Sequence, residues 1–376
     1  MDIEEAKAEQ IEEEEDEAYS NDDLYNINSW GADLSFRELI TMYEEDELLK
    51  PELQRKYVWV KTEASRFIES LLMGLPVPSI FLAKVEGNNK LIIDGYQRIM
   101  TVYDYVRGVF TTDNKIFKLS NSKIINERWR GKAFKELEPD EQKRIKSTTI
   151  HAIIFEQKSP KDKDTSLYQI FERINNSGRT LTPQEIRNCI YQGTFNKLLF
   201  KLNTNTDWRL LFGEEVEDVR MKDLELILRF FALGSEDIRN NTGTQISLKK
   251  YLNEFMGDKE SKSEEILAQR EETFTKTMKF LLENLGVNSF HNLSVGSAEE
   301  LTPRFNPNIF DSISIATAYA LDKNPEINSD GLDKKRFELL MDIDFKRYIS
   351  ERTTNIESIN GRISLALKYL YSMKYE

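Results

Sequence analysis

The chain has 376 residues, enough for two domains, and its 39% hydrophobic content, with 21 Phe and 15 Tyr, supplies material for a packed core. One cysteine, Cys189, excludes an internal disulfide framework, and no run of about eighteen apolar residues is present. The acidic start lacks the basic and apolar parts of a secretion signal, so a cytoplasmic protein is expected.

The net charge of −13 is concentrated at one end. Residues 1–23 hold twelve acids against Lys7, a net of −11, which leaves −2 for the rest. Such a block repels itself, and residues 1–30 are expected to be an acidic disordered tail. A functional alternative is an arm that covers a basic surface or recruits a partner.

Globular patterning follows. In "SFRELITMYEEDELL" Ser35 precedes Glu38 by three residues, a capping-box start, and Phe36, Leu39, Ile40 and Tyr43 share one helical face. "TEASRFIESLLMG" repeats that spacing and stops at Gly74. "VPSIFLAKV" and "KLIID" predict two strands around a turn at Gly87-Asn88-Asn89, and "YQRIMTVYDYVRG" predicts a helix ending at Gly108. "TTIHAIIFE" predicts a further strand.

From residue 165 the signals are mostly helical. "DTSLYQIFERINNSG" predicts a helix broken at Asn175-Asn176-Ser177-Gly178, and "LTPQEIRNCIYQG" starts with Pro183 at the first helical position. "MKDLELILRFFALG", "SLKKYLNEFM" and "ESINGRISLALKYLYSM" predict more helices, with "GDKESKSEE" as a flexible boundary. The expected organisation is α+β: a small α+β domain over 31–160, a helical continuation over 161–256, and a C-terminal helical region over 257–376.

The stretch "KLIIDGYQRIM" carries the most chemistry. A strand delivers Asp94, Gly95 lets the backbone turn sharply, and the next helix presents unpaired N–H groups that favour an anion. Arg98 can offer a planar fork to a phosphate, Asp94 can hold Mg²⁺ or orient water, and Gln97 suits a base, a sugar or a water. A plainer reading has Asp94 cap the helix and Arg98 pair with a surface acid. Spacing alone leaves both open.

Two further clusters could join it. "PELQRKYVW" sets Gln54 and Arg55 in an extended segment flanked by aromatics, and "FERINNSGRTLTPQE" offers Arg173, Asn175 and Arg179 around a turn. Between residues 115 and 146 ten Lys/Arg stand against five acids, with Phe117, Trp129 and Phe134 interleaved. That composition suits a nucleic-acid backbone with stacking aromatics, but the simpler reading is a solvated face with its aromatics buried. No GxxxxGK[ST] loop is present, and His151 and His291 are too few for a histidine-dependent metal site. His151 reads as a core or semi-buried residue, and Cys189 as a packed one.

Together these boxes resemble the DGQQR-motif family, which includes the S-type half of GmrSD modification-dependent endonucleases and SspE-type antiphage effectors. The matching residues are Pro51, Gln54, Arg55 and Trp59; Pro76 and Pro78; Asp94, Gly95, Gln97 and Arg98; Gly131, Lys132, Phe134 and Leu137; and Phe171, Arg173, Asn175, Gly178 and Leu181. The resemblance implies a ParB/sulfiredoxin-like N-terminal fold and a bacterial defence role in which nucleotide hydrolysis governs attack on DNA. It implies Mg²⁺ and a nucleoside triphosphate as cofactors. Asp94, Gln97 and Arg98 would be the catalytic set, and Gln54, Arg55, Gly95, Tyr96, Arg173, Asn175 and Arg179 the nucleotide contacts. DNA and a nuclease or other defence protein would be partners, and self-association is compatible.

Two features depart from that pattern. Tyr96 stands where the family has its first Gln, and residues 257–376 offer no HNH-type histidines beyond His291, so cutting would fall to a partner or be absent. The same residues also fit a DNA-binding or nicking protein, or a non-catalytic interaction module. Sulfiredoxin-type redox chemistry needs a cysteine at the turn, and Cys189 is far from it in sequence.

Overall fold

The structure is a computed structural model of the full chain. It describes residues 26–50, 59–159 apart from 86 and 88, residues 168, 170 and 172, then 182–191, 193–258 and 263–375 apart from 295, 298 and 299. It divides near residues 181–193 into two compact units.

The N-terminal unit is built on a five-stranded sheet. Its strands are β1 (Asn26–Ser35), β2 (Leu48–Leu49), β3 (Ile80–Lys84), β4 (Lys90–Asp94) and β7 (Thr149–Ser159), in the order β1-β7-β3-β4-β2. β7 runs antiparallel to β1 and parallel to β3, while β4 is antiparallel to β3 and parallel to β2. A small hairpin, β5 (Val109–Phe110) with β6 (Lys115–Ile116), lies outside the sheet.

Four helices cover one face: α1 (Phe36–Glu44), α2 (Lys61–Met73), α3 (Tyr96–Arg107) and α4 (Pro139–Ser147). Ser35 and Glu38 form the expected capping box, satisfying an orphan N–H at each position. Phe36, Leu39, Ile68, Leu71, Ile99 and Val102 meet Leu82, Ile92, Ala152 and Ile154 in one core. The α+β class expected from the sequence is the one observed.

Strand β1 was not legible in the sequence. Residues 26–30, expected within the acidic tail, pair with β7 from Asn26 onward. His151, expected as a core or semi-buried residue, is not in the core: its side chain is about half exposed, lies opposite Asp33 in the register and meets that carboxylate at 2.8 Å. The imidazole lies over Gly31, where an added Cβ would come within 2.7 Å of it. The apolar residues of β7 share the faces that side-chain alternation sets, and position 151 falls on the solvent side.

The C-terminal unit is mainly helical: α6 (Thr194–Asn203), α7 (Thr206–Phe212), α8 (Lys222–Leu233), α9 (Glu236–Arg239), α10 (Leu248–Gly257), α11 (Glu264–Leu285), α12 (Pro307–Lys323), α13 (Leu332–Met341), α14 (Ile343–Ser350) and α15 (Ile356–Tyr371). The short α5 (Pro183–Ile190) lies where the two units divide. Helix α12 is the buried axis, started by Pro307 and by Asn306, whose side chain accepts from two backbone N–H groups. Within it Asp311 is fully buried and bound by Arg229 and Arg362.

Candidate functional site

The Asp94–Arg98 turn is assembled by four separate segments. β4 ends at Asp94, and Gly95 takes φ 102° and ψ 4°, in the left-handed region that favours glycine. A Cβ at Gly95 would fall 2.2 Å from Cγ2 of Ile80, so the glycine also admits the first residue of β3 against the turn. Helix α3 then starts with no side-chain cap and no acid in its first turn. Its opening N–H groups and the positive end of its dipole therefore meet no carboxylate from the helix itself.

Arg98, one turn into α3, reaches in two directions. Nη2 donates to Oδ2 of Asp94, and Nη1 donates to the carbonyls of Pro78 at 2.7 Å and Ser79 at 3.0 Å. The guanidinium thus staples the segment entering β3 to the end of β4. Its side chain is only 13% exposed, whereas that of Asp94 is 42% exposed, so the carboxylate is the more accessible member. One half of the plain sequence reading is met and the other is not. Asp94 does not cap the helix, whereas Arg98 does pair with an exposed acid, which is Asp94 itself.

Gln97 connects the turn to a second motif. Its Oε1 accepts a long bond, 3.4 Å, from the backbone N–H of Trp59, and its carbonyl accepts from Thr101. Trp59 closes the box that contains Gln54 and Arg55, so the end of that box meets the first turn of α3. The Trp59 ring rests edge-on against Phe67, which does the same to Phe36. Gln54, Arg55, Arg173, Asn175 and Arg179 themselves lie outside the described residues. Tyr96 is only 4% exposed and belongs to the core, so its ring is not presented for stacking on a base.

The carbonyls of Pro78 and Ser79 were missed as site groups by sequence reasoning. Only the Pro76-x-Pro78 spacing hinted at them. Among the described residues no group of three or more His, Cys, Asp or Glu could hold a metal ion. Asp94 alone suits Mg²⁺, which is commonly held by one or two carboxylates plus the phosphates of a nucleotide.

The remaining candidates are structural. Phe117, Trp129 and Phe134 are 0%, 7% and 5% exposed, so the basic stretch has no aromatic stacking platform. Trp129 donates through Nε1 to Glu141 at 2.9 Å, and Tyr105 donates to the carbonyl of Lys132 at 3.1 Å. The Gly131-Lys132-x-Phe134 box therefore fastens this loop to α3. Cys189 is buried, and burial pushes its thiol pKa well up.

A mixed sheet with a carboxylate–guanidinium pair at a strand–glycine–helix turn defines the N-terminal unit as an α+β domain. Residues 36–192 match the family model of the GmrSD restriction endonuclease, N-terminal domain, and this segment belongs to that family. That match covers less than half of the chain and links it to restriction or defence. No curated protein matches the chain. Among the described residues no helix is long and apolar enough to cross a membrane.

Proposed function

We propose that the N-terminal domain binds a nucleoside triphosphate at the Asp94–Arg98 turn and hydrolyses it, as the regulatory part of a DNA-targeting defence system whose cutting is done by a partner. The observation that carries this reading is the accessible Asp94 carboxylate, fixed by Arg98 at the glycine turn that leads into α3. The amides of that first turn and the helix dipole suit phosphate oxygens. Asp94 would hold Mg²⁺, and the ion would supply charge neutralisation on the phosphates. Arg98 acts chiefly as a positioning residue, because its fork already holds Asp94 and two carbonyls. Gln97 accepts from Trp59, the last residue of the box that holds Gln54 and Arg55, and through that box those two side chains would take part.

The test is phosphate release from ATP, GTP, CTP and UTP with Mg²⁺, with and without DNA, comparing the wild type with Asp94→Asn and Arg98→Lys. Turnover abolished in Asp94→Asn and reduced in Arg98→Lys, with both folded, supports the proposal. Equal release in all three, without thermal stabilisation by any nucleotide, rejects it.

A second reading is favoured by the saturation of Arg98 and the burial of Tyr96. In it the turn is purely architectural and the chain is a protein-interaction module. Recovery of a stable partner complex whose formation is indifferent to Asp94→Asn would support that alternative.

A further inference from the structure

β1 is an edge strand without the usual protection. It runs ten residues, Asn26–Ser35, at the end of the sheet, and among the described residues no strand pairs with its outer side. Edge strands are ordinarily shielded by lysine, proline, shortness or a bulge. β1 holds no Lys, Arg or Pro, and its register shift lies at its first residues, between Asn26 and Ile27. Asn28, Ser29, Trp30, Gly31 and Asp33 are all exposed, and Trp30, at 41%, is among the large apolar side chains left at the surface.

The end of β1 shows where its backbone groups point. In an antiparallel pair the N–H and C=O of one residue face the same way, and successive residues alternate. Phe36, which follows β1, donates its N–H to the carbonyl of Thr148 at 3.1 Å, whereas the N–H of Ser35 turns away to Glu38 at 2.7 Å. Even positions of the strand therefore bond to β7, and Ile27, Ser29, Gly31 and Asp33 aim their N–H and C=O groups outward. Trp30 shares a face with Ala32 and Leu34, which pack against the core.

We propose that the outer edge of β1 pairs antiparallel with the same strand of a second copy of this chain, about a two-fold axis at Trp30. With that axis Ile27 meets Asp33 of the second copy, and Ser29 meets Gly31. The outward-facing residues thus map onto one another, which supplies about eight hydrogen bonds and leaves the Ser35 N–H with Glu38. An axis at Gly31 would instead set Ile27 against Ser35, whose N–H is already engaged. The strand's one charged residue, Asp33, stands opposite Ile27 rather than opposite itself, so no like charges face each other. Trp30 stands opposite Trp30 of the second copy, and the two rings cover apolar surface that a single copy leaves in water. This self-complementarity is what selects a second copy over an unrelated extended peptide.

The experiment uses the full chain. Sedimentation equilibrium over about 1–200 μM should show a dimer whose fraction rises with concentration. Ser29→Pro removes an outward N–H while keeping every bond to β7, and Trp30→Glu sets two carboxylates opposite each other at the axis. Each should raise the dimer Kd at least about ten-fold with an unchanged circular dichroism spectrum. Trp30→Cys tests the axis itself, because antiparallel neighbours of the non-hydrogen-bonded kind have Cα atoms about 4.5 Å apart, within disulfide range. With Cys189→Ala in the background, copper–phenanthroline oxidation should join two copies through position 30. Asn28→Cys should not link, since it would stand roughly 13 Å along the strand from its own counterpart. A monomer at every concentration, a dimer indifferent to Ser29→Pro and Trp30→Glu, or equal cross-linking at positions 28 and 30 would overturn the proposal.

Discussion

Replacing Gly95 by alanine tests how the turn is built. The backbone there has φ 102°, which costs a non-glycine residue about 1–2 kcal/mol. The new Cβ would also stand 2.2 Å from Cγ2 of Ile80, against an ordinary contact of about 3.5–4.0 Å. Ile80 is fully buried at the start of β3, so relief requires shifting the strand, an overpacking cost of about 1–3 kcal/mol. The total is about 2–5 kcal/mol, or a fall in Tm of roughly 4–20 °C for a unit of this size.

The clash can be separated from the backbone strain by a double-mutant cycle with Ile80→Ala, followed by urea unfolding. Ile80→Ala alone should cost about 2–5 kcal/mol, but Gly95→Ala in that background should cost about 1–3 kcal/mol less than in the wild type. The strand shift also has a chemical consequence, because Ser79, next to Ile80, holds Arg98. Penalties that add within about 0.5 kcal/mol would refute the claim that Gly95 is required by Ile80.

Three further outcomes are expected. In the basic loop, burial would raise the pKa of Glu141, but bonds from Trp129, the Glu138 N–H and Arg128 outweigh it and hold the carboxyl below its usual range. Its contribution to stability is thus complete above the unfolded carboxylate pKa of about 4.3 and is lost as pH falls through the lower folded value. Glu141→Gln should lower the urea midpoint near neutral pH and narrow the difference between pH 7 and pH 3. In the C-terminal unit, Asp311→Ala leaves two buried guanidinium groups without their acid and should cost about 3–5 kcal/mol by urea unfolding, whereas Asp311→Leu with Arg229→Met and Arg362→Met should recover most of that loss. At the sheet surface the Asp33–His151 pair is exposed, and His151→Ala should change stability by less than about 1 kcal/mol in the same assay.

Much of the fold was written locally. The capping box at Ser35 and Glu38, the apolar face of α2, the glycines bounding α3 and the two strands on either side of Gly87 all depend on neighbours within a few residues, which a sequence displays directly. So did the position of Asp94, since a strand running into Asp-Gly and then a helix leaves few alternatives. The tertiary structure alone decided the rest. β1 is a largely polar edge strand that exists because β7, more than a hundred residues away, supplies its hydrogen bonds. Arg98 reads in the sequence as a free fork, but its donors go to carbonyls twenty residues back, and nothing in the spacing marks a backbone oxygen as a partner. Trp129 and Phe134 among basic residues look the same whether they face solvent or core. Periodicity reports which side chains share a face, but which surface that face meets depends on chain segments brought together only by folding.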